Sequence, residues 1–256
     1  DFCLSRGLGD VYKRQTLNNG GGKVTYGYPT KWLESLTRGE VIAAELRLGI
    51  VSGDIEAETL LSENQVAQQF NVSRSPVRDA FKLLQTDQLI QLERMGARVL
   101  SFGENEKKEM YDLRLMLESF AFSRLKGEDT YNIVKEMKKQ LEMMKVAVQF
   151  GDAESFTQHD LEFHEVMISA ANHQYLKIFW SHLKPVMELL ILLSMRHRMN
   201  THPHDFDRIH RNHQVFIDAI EYYDVDKLKE AFHLNFDDVG TVSYTHLRAH
   251  ETGRNL

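Results

Sequence analysis

The stretch "SENQVAQQFNVSRSPVRDAFKLLQTDQL" (62–89) decides the fold. Ser62 followed three residues later by Gln65 predicts a capping box at the start of a helix over 62–70. Val66, Ala67 and Phe70 give that helix its buried face. "NVS" (71–73) leaves room only for a tight connection. A second helix then runs over 73–89. Ser73 or Ser75 can cap it, and Pro76 falls in its first turn, where the missing N–H costs little. Two short helices so closely joined predict a helix-turn-helix.

Outward from this pair, "IQLERMGARVLSF" (90–102) alternates as strand, with Ile90 and Leu92 before Val99 and Ser101. Gly96 sits between the halves as a turn residue, which predicts a β-hairpin, the wing of a winged helix-turn-helix. Upstream, Trp32, Leu33, Leu36, Val41, Ile42, Leu46, Leu48 and Ile50 recur at three- and four-residue steps, so a helix is expected from Lys31 to "VSGD" (51–54). Downstream of Glu104 strand signals end. Six helices are expected, at about 104–126, 130–150, 152–171, 174–199, 205–222 and 224–239, and their short connections imply an antiparallel bundle. The fold class is therefore mainly α: a winged domain over 31–102, then an all-helical bundle of six to seven helices over 103–241.

Both ends stand apart. "DFCLSRGLGDVYKRQ" (1–15) and "VSYTHLRAHETGRNL" (242–256) resemble translated sequencing-adapter reads, and neither continues its neighbour's apolar period. Residues 1–30 form a non-native or loose segment, Gly- and Asn-rich over 16–30, and 242–256 a tail. Cys3 is the single cysteine, so no internal disulfide is possible, which suits a reducing cytoplasm. No basic-then-apolar signal pattern opens the chain, and the longest apolar run, "VMELLILLSM" (186–195), suits a buried helix better than a membrane span. The net charge is −6, so nucleic acid can be held only by a local basic patch.

Such a patch exists. Arg74, Arg78 and Lys82 fall at i, i+4 and i+8 on one face of the second helix, near its N-terminus, whose free N–H groups favour phosphate. Alone, the stripe could be an ordinary solvated face. Between a helix-turn and a Gly-turned hairpin it suits entry into a major groove, with Arg offered to guanine edges. "LLSENQVAQQFNVSRSPVRDAFKLLQTDQLI" resembles the DNA-binding signature of GntR-type bacterial regulators, and "VSRSPVR" (72–78) is its most specific part. The resemblance implies that Ser73, Arg74, Ser75 and Arg78 contact double-stranded operator DNA, with Gly96 at the wing tip. Asn64 departs from it, standing where several members carry a DNA-reaching Arg.

Histidine is distributed unevenly. The first is His159, ten of the twelve lie between 159 and 233, and two fall in the tail. Asp160 and His164 in "DLEFH" share one helix face, and His210 and His213 share a face of another. Side chains from several helices can build a metal site inside a bundle, and imidazole with carboxylate suits Zn, Ni, Fe or Mn. The plain alternatives are a polar contact on a packed helix for Asp160–His164 and solvation at or near the loop "RHRMNTHPHD" for His197, His202 and His204. The block also resembles the FCD effector domain of FadR-like GntR regulators: "DLEFH" matches its Asp-x-x-x-His element, "NHQVFIDAIEYYD" (212–224) its His helix, and "LRLMLES" (113–119) its Arg-x-x-x-Glu helix. The resemblance implies a divalent metal on Asp160, His164, His213 and a last-helix position, and an Arg114 that faces a small carboxylate effector. The last position is Asn235 here. His233 lies two residues earlier, about 200° around the helix. Arg114 can equally pair with Glu118 at i, i+4 on the helix surface.

These readings predict a cytoplasmic, homodimeric, ligand-responsive transcription regulator with no enzymatic activity and no membrane partner, sensing a sugar acid or hydroxy acid. Two alternatives stand beside it. One is a regulator that senses the metal itself. The other is a metal-dependent helical phosphohydrolase, suggested by "HD" at His159–Asp160, although His159 points about 100° away from Asp160.

Overall fold

The computed structural model describes residues 26–94, 96–201 and 206–236, with the side chains of Asn235 and Phe236 also outside the description. Both adapter-like ends, and the expected bundle residues 237–241, thus lie outside the described residues. The chain divides into two compact units, Asp1–Glu106 and Lys107–Leu256.

In the first unit a single 3-10 turn, Thr30–Leu33, precedes α1 (Arg38–Val51). One continuous helix from Lys31 was expected. The break lies at Thr37, whose hydroxyl accepts the Glu40 N–H while the Glu40 carboxylate accepts the Thr37 N–H at 2.8 Å. This reciprocal cap starts the helix afresh and turns the preceding backbone aside. From Ile42 to Val51 α1 is buried on every side, including Glu45 and Arg47. Gly39 lets it approach the next long helix, since a Cβ there would lie 3.2 Å from the Pro76 carbonyl. Arg47 reaches Asp87 at 2.7 Å and ties α1 to the end of that helix.

The helix-turn-helix follows as α2 (Glu63–Phe70) and α3 (Arg74–Thr86), with Asn71 left-handed at φ 52° between them. Ser62 is the N-cap of α2 but its side chain makes no capping hydrogen bond, so the capping box expected at Ser62–Gln65 does not form. Ser73 caps α3 by position, also without a side-chain bond. Val77, Ala80, Phe81 and Leu84 bury one face of α3. The wing is three-stranded: β1 (Leu60–Leu61), β2 (Ile90–Glu93) and β3 (Gly96–Val99), antiparallel in the order β1-β3-β2. Glu93 pairs with Gly96, so Arg94 lies at the turn between the two strands. Gly96, expected in the turn, instead opens β3. Its φ is +149°, and a Cβ there would come within 2.2 Å of the Leu61 carbonyl oxygen. The glycine is required by the close approach of β1.

The second unit contains α4 (Glu104–Arg124), whose first turn spans the division, then α5 (Tyr131–Gln149), α6 (Ala153–Ala170), α7 (Gln174–Thr201), α8 (Phe206–Glu221) and α9 (Val225–Phe236). Each agrees with an expected helix to within a few residues. Helix α6 packs on α5 and α7, and α8 packs on α9 and α5. Phe163, Met167, Leu189, Phe216 and Phe232 are sealed in the core. By length and mean hydropathy alone α7 could cross a membrane, but 56% of its most apolar window is buried within the protein, as in a core helix.

Candidate functional site

The first candidate surface is the start of α3. Ser73, Arg74, Ser75, Arg78 and Lys82 are all exposed. Val77 and Phe81 point inward, so the cationic stripe expected from the sequence faces away from the core. Arg78 is not loose. Its Nε lies 2.9 and 3.0 Å from the two oxygens of Glu63 at the start of α2. Lys82 pairs with Asp79 at 3.2 Å. Sequence reasoning missed two arginines of the wing. Arg94 is exposed at its tip, and Arg98 is held by Glu93 at 2.6 Å and Glu58 at 3.3 Å. Their place in an alternating hairpin beside a basic helix was the signal.

The second candidate is buried. Asp160 and His164 stand one turn apart on α6, and His213 reaches them from α8. One potential ligand atom from each lies within 4.8 Å of the others. All three side chains are buried. Phe163 and Phe216 wall the cluster, with ring centroids 4.9 Å from His213 and 5.3 Å from His164.

The hydrogen bonds of His213 determine the chemistry. Its Nδ1 lies 2.8 Å from the Ile209 carbonyl, which can only accept, so Nδ1 carries the hydrogen. In the neutral ring Nε2 is then a lone pair, and it faces Asp160 Oδ1 at 3.0 Å. Two lone pairs so placed need a second ring proton or a cation between them. A metal-ligating imidazole whose other nitrogen bonds a carbonyl has this arrangement. Burial works against the ionisation of Asp160, but the contact with His213 and the Arg114 charge outweigh it and hold the carboxyl well below the usual carboxylate range. Burial, with Arg114 adding to it, pushes His164 below its ordinary value, towards the neutral form that binds metal. One carboxylate and two imidazoles suit Zn, Ni, Fe or Mn.

Arg114 joins this cluster. Its Nε lies 2.8 Å from Glu118 Oε1 and its Nη2 3.6 Å from Asp160 Oδ2. The pair with Glu118 at i, i+4 forms as the sequence allowed, but both partners are buried where a helix-surface pair was expected. His164 Nδ1 lies 3.0 Å from Glu118 Oε1, within ion-pair distance but off the direction of a hydrogen bond. Glu118 was missed as a member of the site; an acidic residue one turn after a candidate arginine was the available signal.

The other histidines separate. His210 lies outside the ligand cluster although it shares a helix with His213. His197 lies within α7, as the expected helix over 174–199 had it, and is half-buried where solvation was expected; His202 and His204 lie outside the described residues. His233 is exposed, and the side chain of Asn235 lies outside the described residues. His159 turns to Gln140, 2.8 Å from its Oε1.

Known proteins match both parts. Residues 38–99 match the bacterial regulatory proteins of the gntR family, and residues 109–237 match the FCD domain. The chain is 49% identical over 212 residues to the gluconate operon transcriptional repressor of Bacillus subtilis (strain 168), covering 83% of this chain and 87% of that protein. It is 47% identical over 212 residues to the protein of the same description from Bacillus licheniformis, with the same coverage. Among solved structures, Escherichia coli McbR/YncC has a TM-score of 0.56 at 19% identity, covering 80% of this chain and 97% of that one. A transcriptional regulator GntR from Rhodococcus sp. RHA1 has a TM-score of 0.51 at 21% identity, covering 86% of this chain and all of that one. At those identities the structures show a shared fold. The exposed basic helix, the three-stranded wing, the helical bundle and these matches lead to one conclusion: the chain belongs to the GntR family of bacterial transcription regulators, with an FCD domain after its winged helix-turn-helix.

Proposed function

We propose that this protein is a non-enzymatic repressor of a catabolic operon, acting in the cytoplasm as a homodimer and leaving its operator when a sugar acid binds the FCD domain. The observation that carries the effector class is the 49% identity to a gluconate operon repressor. Aldonates of the gluconate type are the first effectors to test. Arg74, Ser75, Arg78 and Lys82 enter the major groove from α3, with Ser73 bonding phosphate at its uncapped start. Gly96 serves by shaping the wing, which leaves Arg94 at the tip for the adjacent groove. A two-fold operator calls for a two-fold protein, hence the dimer.

In the effector domain Asp160, His164 and His213 would hold a divalent metal, and by the family resemblance Asn235 stands where a further ligand would be. Such an ion supplies a Lewis-acid anchor for the effector's carboxylate. Arg114 adds positive charge beside it while bound to Glu118. A regulator that senses the metal itself fits the same donor set. The phosphohydrolase reading loses support because His159 bonds Gln140 and turns from the cluster.

The test of DNA binding is titration of the DNA upstream of the protein's own gene at several salt concentrations. Arg74→Ala with Arg78→Ala is expected to weaken binding by about 1–3 kcal/mol for each arginine and to relax the preference for the operator over unrelated DNA. Unchanged affinity and sequence preference would remove α3 from the interface.

A further inference from the structure

Two buried side-chain atoms beside the cluster make no directed hydrogen bond: His164 Nδ1 and Glu118 Oε2. Buried polar atoms without partners are uncommon and mark places where a group is missing or a contact is poised. Glu118 has no exposed surface. Pairing with Arg114 accounts for a carboxylate on α4. It does not account for the position of Oε1, which lies 2.8 Å from Arg114 Nε and also 3.0 Å from His164 Nδ1.

The two rings of the cluster are organised alike. On His213 the Ile209 carbonyl takes Nδ1–H and leaves Nε2 to the cluster. On His164 Nδ1 lies 3.0 Å from a carboxylate oxygen, Glu118 Oε1, which leaves Nε2 as the nitrogen for an ion. We propose that Glu118 is the positioning residue of the metal centre. It accepts Nδ1–H of His164, fixes that tautomer and makes Nε2 a stronger donor. Arg114, bound to Glu118 and to Asp160, links this outer carboxylate to the inner one. A charged acceptor behind an imidazole raises its basicity more than a carbonyl does, and loss of such a partner typically costs about 10–100-fold in metal affinity. The inference rests on the metal reading of Asp160, His164 and His213, and adds to it the residue that orients one ligand.

The experiment is a zinc competition against a chromogenic chelator, run on the full chain as wild type and as Glu118→Gln. The glutamine keeps the size and an acceptor oxygen but removes the charge. We expect wild-type protein to bind zinc and Glu118→Gln to bind it about 10–100-fold more weakly. The metal-free variant should keep the wild-type far-UV circular dichroism. Wild-type binding with an affinity in Glu118→Gln within about twofold of it overturns the role of Glu118 and leaves the metal reading standing. Failure of the wild type to bind zinc removes the metal reading and this inference with it. The imidazole nitrogens of zinc-loaded wild-type protein, observed by nitrogen-15 NMR, give a readout that no folding defect affects. His164 should carry its hydrogen on Nδ1 and bind through Nε2. Ligation through Nδ1 overturns the proposal.

Discussion

His164 carries most of the chemistry assigned to single side chains. Its imidazole is buried, pushed below its ordinary value by burial and by Arg114, and set between Glu118 and the Asp160–His213 pair. His164→Ala is expected to lower bound metal and weaken the response to effector while leaving operator binding without effector largely intact. Metal analysis of the purified variant checks this, and full occupancy would return the residue to a packing role. Gly96→Ala tests the other single-residue claim. Its Cβ would sit 2.2 Å from the Leu61 carbonyl at φ +149°. We expect a loss of about 1–3 kcal/mol, the usual scale of backbone strain, read as a lower thermal midpoint together with weaker DNA binding. At this scale the sequence showed which residues belong together only in part. Asp160 and His164 were legible from their spacing. His213 needed a resemblance, because it arrives from 53 residues away. For Arg114 the pairing with Glu118 could be read from the spacing, but the burial of that pair could not.

Among the elements, α1 shows what periodicity misses. Apolar residues recur through 32–50 as though one helix ran throughout, yet Thr37 and Glu40 start a new one. The pattern Thr-x-x-Glu was present in "TRGE" (37–40), while the serine of "SENQ" (62–65), which has the same form, makes no capping bond. Capping signatures locate helix starts, and whether the side chain bonds depends on what else it faces. Thr37→Ala should cost about 1 kcal/mol, measured by chemical denaturation, with Thr37→Ser close to wild type. Glu40 is held below its ordinary value by the Thr37 hydroxyl and N–H. Its folded form therefore favours the ionised state, and its contribution is present at neutral pH and lost as pH falls through the carboxylate range. The bundle helices were far more legible, since long periodic runs broken by "KGED", "GD" and "YYD" leave little freedom in where a helix can end.

On the scale of the whole molecule, a chain of net charge −6 can meet polyanionic DNA only through a local basic face. Association should therefore depend steeply on salt even though the global field is unfavourable. Effector control requires the ligand to bind the DNA-competent and DNA-incompetent arrangements unequally, and a typical coupling of about 1–3 kcal/mol changes affinity roughly 5–150-fold. The most direct measurement of the central claim is the dissociation constant of metal-loaded protein for its upstream DNA, by fluorescence anisotropy at fixed salt, with and without gluconate and related aldonates. The account predicts that an aldonate weakens binding at least about fivefold in wild type and has little effect in His164→Ala. Tight operator binding that no aldonate changes would contradict it.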